Sequence, residues 1–206
     1  MSEPVATEPT VLRISVSTAI IMALFTVIFT ALMAGTYLAT RDTIARSAEA
    51  QKLVLINEVL DPKSYDNNLL KDAQSLGPTP ALGLPRGGQV WRARKGGQAV
   101  GLVIETTAPD GYAGKIGLIV GVLADGQVSG VRVTEHRETP GLGDYIDPAK
   151  DKNKASPWIS QFVGKTPVSL PLAQWALKKD GGEFSYRAGA TISARAVTAA
   201  VARAVS

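Results

Sequence analysis

The chain has 206 residues, enough for one ordinary domain and a further segment but not for two large domains. It contains no cysteine and one histidine, which excludes disulfides, thiolate zinc sites, cysteine-ligated iron–sulfur clusters and a multi-histidine metal site within the chain. The net charge of +4 is a weak field carried by scattered Lys and Arg, without a basic stripe interleaved with aromatics, so nucleic acid is not an expected partner.

Residues 14–40 carry no charge. These 27 residues make roughly 40 Å of helix, which spans a bilayer with some tilt. The Ser and Thr within the segment are compatible with lipid, because a hydroxyl can return its hydrogen bond to the helix backbone. Arg13 on one side, and Arg41, Asp42 and Arg46 on the other, mark the ends, and Tyr37 stands near an interface. The apolar stretch exceeds a signal-peptide core of about 7–15 residues and lacks a good small-x-small cleavage pair, so it reads as an uncleaved anchor. Flanking charge alone does not orient it.

Residues 41–60 continue as helix, with Ile44, Ala48, Leu55 and Val59 near one face and Leu53, Val54 and Ile56 widening it; Asp61-Pro62 ends it. Residues 77–89 hold three Pro and four Gly and read as a loop. Four strands follow, at residues 90–93, 99–107, 115–123 and 127–135. The first two join through Lys95-Gly96-Gly97. The last two join at Asp125-Gly126, where both turn residues tolerate positive φ. In the third strand Ile116, Leu118, Val120 and Val122 share a face and Gly117 and Gly121 lie opposite, so a helix or a flat ring packs close to the backbone there; a helix is the favoured reading. Short helices are expected at residues 157–163 and 171–178, and a longer one over 191–206 with Val197, Ala200, Val201, Ala204 and Val205 inward. The class is α+β: one N-terminal transmembrane helix, then an antiparallel sheet with flanking helices.

Two loops have the composition to carry chemistry. Glu138-Thr139-Pro140-Gly141-Leu142-Gly143 leaves the last strand with a tight backbone that can turn N–H groups toward a ligand, or can be a plain Pro-Gly turn. Residues 188–193 open the last helix, where unpaired N–H groups and a partial positive charge suit a phosphate. There Gly189 and Ala190 leave room, Thr191 and Ser193 offer hydroxyls, and Arg187 and Arg195 are near in sequence to balance an anion; the plainer alternative is an N-cap by Thr191 or Ser193. His136 reads as a strand-end residue rather than a base, and Asp110-Gly111 as turn chemistry.

In this order, behind a single anchor, HRETPGLGDYID, a Trp-Ile…Phe segment at 158–162 and AGATISARAV resemble the G subunits of Rnf (Rsx) ion-translocating electron transport complexes over nearly the whole chain. They resemble more distantly the C subunit of the sodium-pumping NADH:quinone reductase. The resemblance implies an FMN-binding domain carrying one FMN per chain, joined through a phosphoester to Thr191 by a dedicated flavin transferase. Gly189, Ala190 and Ser193 would surround the attachment. The segment of Glu138, Thr139, Pro140, Gly141, Leu142 and Gly143 would lie by the flavin ring, its N–H groups favouring the reduced form. It implies no catalytic residue and no metal ligand.

It further implies an N-terminal cytoplasmic tail over 1–13, a transmembrane helix over 14–40 and a periplasmic FMN-binding domain over 41–206 at the cell inner membrane. The partners would be the other membrane and iron–sulfur subunits of a complex coupling ferredoxin/NAD electron transfer to Na⁺ or H⁺ movement, and the chain alone would turn over no substrate. One departure is visible. The attachment pattern has an acidic residue six positions before the threonine and Ser or Thr three before, where this chain has Ser185 and Ala188; Glu183 or Asp180 would then serve the transferase. The alternative is a flavin-free module that stabilises a membrane assembly.

Overall fold

The computed structural model describes residues 11–206. Most of the expected tail, residues 1–10, therefore lies outside the described residues. The chain divides into two compact units at Glu49/Ala50.

The first unit is helix alone. The helix α1, Val11–Val59, begins there and ends in the second unit. Along the uncharged segment it exposes Ile20, Ile21, Phe25, Phe29, Leu32 and Met33, an apolar surface on every side. A helix apolar all round is suited to lipid rather than to water. The hydroxyls of Thr18, Thr26, Thr36 and Thr40 donate to the carbonyls of Ile14, Met22, Leu32 and Thr36, each four residues back, at 2.8–2.9 Å. These four threonines thus satisfy their own polar groups within the helix, as a spanning segment requires. Among the described residues this is the one helix long and apolar enough to cross a membrane.

The second unit is a five-stranded antiparallel meander in the order β1 (Ala73–Leu76), β2 (Gly88–Lys95), β3 (Gln98–Gly111), β4 (Gly114–Leu123) and β5 (Val128–Glu135). Lys95 pairs with Gln98 across Gly96 (φ 57°) and Gly97 (φ 82°), a two-residue turn open to glycine on both counts. The Asp125-Gly126 turn differs from expectation. Gly126 alone has positive φ, and residues 124–126 form a three-residue loop closed by the Leu123 N–H donating to the Gln127 carbonyl at 2.8 Å. Strand β1 lies outside the four expected strands: AQSL lacks β-branched residues and alternation, and pairing with β2 defines it.

The pleat of β4 sends Ile116, Leu118 and Val120 to one face and Ile119 to the other, and a separate core covers each face. On the first lies helix α2, Thr191–Val205, which buries Ala194, Ala196, Val197, Ala200 and Val201. An irregular segment completes that core with Tyr145, Trp158, Phe162, Phe184 and Trp175, whose neighbouring rings lie 4.6–5.5 Å apart. The helices expected at 157–163 and 171–178 are short 3-10 segments instead, Trp158–Phe162 and Leu172–Gln174.

On the second face the last turns of α1, with Leu60 just beyond its end, bury Ile56, Val59 and Leu60 against Leu69, Trp91, Ala93, Val103 and Ile119. The inward stripe starts at Leu55, partly buried against this core, while Ile44 and Val54, expected on it, are exposed and the Ala48 side chain lies outside the described residues. The glycine reading of β4 resolves in favour of a helix. A Cβ on Gly121 would stand 2.6 Å from the Val59 carbonyl oxygen, and one on Gly130 of β5 would stand 2.7 Å from Val59 Cα. Gly117 instead lies under the Thr134 and Glu135 side chains. The Ser129 hydroxyl donates to the Val59 carbonyl, and Arg132 pairs with Glu58 at 2.6 Å, so polar bonds flank the close approach.

Candidate functional site

Helix α2 starts without a side-chain cap. Its N-cap residue is Ala190 (φ −134°, ψ 40°), and neither Thr191 nor Ser193 closes the end, so the capping alternative does not hold. Gly189 precedes it at φ 85°, in the left-handed region that a side chain disfavours. The chain therefore arrives on a sharp bend and presents the first N–H groups of a 15-residue helix with Thr191 among them.

The strand-exit loop is folded against this helix end. The N–H groups of Leu142 and Gly143 donate to the Thr139 carbonyl at 3.1 and 3.0 Å. Two of the N–H groups expected to face a ligand are thereby spent inside the loop. What the loop offers the helix is the Glu138 carboxylate. This side chain is 4% exposed; it accepts from the Ser193 hydroxyl through Oε2 and from the Ala113 N–H through Oε1 at 3.2 Å. Both donors are neutral, so the carboxylate is held by hydrogen bonds and by its place at the positive end of α2.

Two glycines make room for the carboxylate. A Cβ on Gly143 would come within 2.7 Å of Ser193 Oγ and 2.9 Å of Glu138 Oε2, and one on Gly111 within 2.9 Å of Glu138 Oε1. Three chain segments distant in sequence thus meet at one buried group: the β3–β4 turn, the strand exit and the first turn of α2.

In front of this junction lies a small open cleft of about 120 Å³, lined by Tyr112, Glu138, Thr139, Leu142, Gly143, Gly189, Ala190, Thr191, Ile192 and Ser193. Of the residues singled out from sequence, the fold brings eight to this cleft. Pro140 and Gly141 are exposed at the loop's outer bend and do not line it. Ser193, expected to offer a second hydroxyl, gives its hydrogen to Glu138. Tyr112 belongs to no functional motif in the sequence; at the tip of a hairpin its single signal is the neighbouring turn residues.

Both arginines expected to balance an anion are engaged elsewhere. Arg187 pairs with the fully buried Asp151 and lies over the Tyr145 ring at 4.6 Å. Burial alone would raise the Asp151 pKa. The N–H groups of Trp158 and Asn153, at 2.7 and 2.8 Å, and the Arg187 guanidinium outweigh it and hold the carboxyl below its ordinary value. Arg195 makes two 2.8 Å bonds to Asp180, which lower that carboxyl. Tyr145 donates to the Ala190 carbonyl at 3.3 Å and accepts from the Arg187 N–H at 3.2 Å, and burial raises its pKa. These groups buttress the approach to Thr191 from behind, and a phosphate's charge would fall to the helix end. Asp180, expected to serve the transferase, is engaged by Arg195; Glu183 is exposed. Ser185 donates through its N–H and hydroxyl to Gln161 Oε1 at 2.8 and 3.0 Å. His136 sits half-buried just beyond β5, where its Nδ1 accepts from the Glu138 N–H at 3.2 Å.

The residues fit an FMN. An uncapped helix end suits its phosphate, glycines clear the backbone beside Thr191, and the Leu142 and Ile192 side chains provide apolar walls for a ring.

Comparison with known proteins agrees with this geometry. Residues 111–206 match the FMN-binding domain family and residues 10–59 match the RnfG N-terminal region. The chain is 43% identical over 186 residues to the G subunit of the ion-translocating oxidoreductase complex of Aliivibrio fischeri, covering 90% of this chain and 86% of the relative. It is 46% identical over 185 residues to the G subunit from Salmonella typhimurium, with the same coverage, and 44% identical over 184 residues to that from Photorhabdus laumondii, covering 89% and 85%.

Proposed function

Because the chain belongs to the family of G subunits of ion-translocating oxidoreductase complexes, we propose that it is a membrane-anchored electron carrier holding one FMN as a phosphoester of Thr191. The observation that carries this reading is the meeting of the two loops at an uncapped helix end, with Thr191 on the cleft wall.

When bound, FMN supplies the redox chemistry, accepting and passing on electrons. The protein's residues supply its placement. The N–H groups and dipole at the start of α2 favour the phosphodiester anion, and Gly189 lets the backbone approach it. Leu142 and Ile192 offer apolar surface to a ring, while Glu138, through Ser193, holds the strand-exit loop against the helix. Thr139 and Gly143 line the cleft beside them; Pro140 and Gly141 set the loop's bend. A tethered cofactor suits a carrier, since a ring that faces water cannot then be lost.

The relay would run between membrane and iron–sulfur subunits of an Rnf-type complex coupling ferredoxin/NAD electron transfer to Na⁺ or H⁺ translocation. A flavin transferase would load the threonine. Family membership supports residues 41–206 on the periplasmic side of the inner membrane and residues 1–13 in the cytoplasm. Protease added to intact spheroplasts should then digest the second unit, and protection of that unit would reverse the orientation.

The test of loading is denaturing electrophoresis of the chain co-expressed with the transferase. The wild-type band should fluoresce and the Thr191→Val band should be dark. A dark wild-type band beside an active transferase contradicts the proposal and favours the flavin-free module.

A further inference from the structure

We infer that Tyr112, at the tip of the β3–β4 hairpin, forms the aromatic wall of the cleft against the flavin ring, and that Glu138 is the positioning residue that holds it there. This inference rests on the proposed attachment at Thr191 and deepens it.

Three large side chains around the cleft are left in solvent: Tyr112 is 67% exposed, Leu142 48% and Ile192 44%. A single exposed apolar residue is ordinary, but three converging on one cleft mark a surface meant to be covered. Each comes from a different wall: the hairpin tip, the strand-exit loop and the start of α2. Among the described residues Tyr112 is the one aromatic ring lining the cleft. An aromatic ring packs on a flat conjugated system better than an aliphatic chain does, in offset or edge-on geometry.

A hairpin tip is ordinarily free to sway, and this one is tied. Gly111 pairs with Gly114, leaving Tyr112 and Ala113 as a two-residue loop. The Ala113 N–H donates to Glu138 Oε1, whose other oxygen accepts from Ser193 in the first turn of α2. The carboxylate therefore links the backbone next to Tyr112 to the helix that carries Thr191. Gly111 is required for this, because a Cβ there would meet the Gly114 carbonyl and Glu138 Oε1. A side chain on a pinned backbone loses less entropy on meeting its ligand than one on a free loop.

The test uses the full chain, flavin-loaded by the transferase, and compares flavin fluorescence before and after denaturation. A phenol in contact with a photoexcited flavin passes it an electron, which returns on recombination; nothing is consumed and emission is lost. The wild type should be dim when folded and bright when denatured. Tyr112→Leu and Tyr112→Phe should raise the folded emission severalfold with the denatured emission unchanged, and Tyr112→Trp should stay dim. Glu138→Ala should brighten the folded state with Tyr112 in place. Glu138→Gln, which still accepts from Ala113 and donates to Ser193, should remain closer to wild type. Tyr145 remains in every variant, its ring buried under Arg187 and against Trp158, and sets a constant background. Equal folded emission in loaded wild type, Tyr112→Leu and Tyr112→Phe would overturn the inference while leaving the attachment at Thr191 standing. A wild-type band that carries no flavin would overturn both.

Discussion

The two faces of the sheet are covered by helices that use opposite means. On one face α1 comes so close that Gly121 and Gly130 are needed under Val59, and the contact is backbone on backbone. On the other face α2 stands off on Ile116, Leu118, Val120 and a chain of aromatic rings. The close face packs the sheet against the last turns of α1, and none of the residues lining the cleft belongs to that core. The aromatic face carries the cleft at one end, where side chains rather than backbone set the spacing. The candidate site accordingly lies where packing leaves room at a helix terminus.

That contrast can be broken from either side. Phe184→Ala removes a fully buried ring from the aromatic face, at a cost of about 3–5 kcal/mol, and should reduce flavin loading as well as chemical stability. Gly130→Val drives a side chain into Val59 and should cost about 1–3 kcal/mol. Its loading per folded chain should match wild type, because the close face does not reach the cleft. Urea unfolding of the solubilised chain followed by in-gel fluorescence measures both quantities, and a loss of loading in Gly130→Val would mean that the two faces are not separate. Gly143→Ala should cost about 1–2 kcal/mol through the displaced Glu138–Ser193 bond, with a loss of loading out of proportion to that figure.

The smallest effect concerns acid. Asp151 titrates below its ordinary value in the folded chain, so its contribution is complete above the unfolded carboxylate pKa and disappears as pH falls through the lowered folded value. Melting temperature should therefore drop in that acidic window for wild type, and the Asp151→Asn profile should be flatter there. Parallel profiles would show that the Arg187 pair does not support this face.

The sequence made legible what depends on composition and period. An uncharged run marked the apolar helix, β-rich runs between turn residues marked four strands, and Gly121 in β4 marked a close helix, although Gly117, expected beside it, lies under the Thr134 and Glu135 side chains instead. Three features escaped because they are set by partners far along the chain. Strand β1 exists through β2, since AQSL has no strand character of its own. Arg187 and Arg195 look like anion ligands until Asp151 and Asp180 are seen to engage them, 36 and 15 residues away. The Glu138–Ser193 bond joins residues 55 apart, and the motifs that named both residues did not say that they touch. Tyr112 has no pattern around it beyond turn residues, and its role follows from the cleft alone.

The central claim is that the hydroxyl of Thr191 bears the cofactor. Trypsin releases residues 188–195 as one peptide between Arg187 and Arg195. Mass spectrometry of that peptide, from the chain purified out of its own membrane, should show the mass of one FMN less one water, with fragmentation assigning it to the threonine. An unmodified peptide as the sole form would contradict the account.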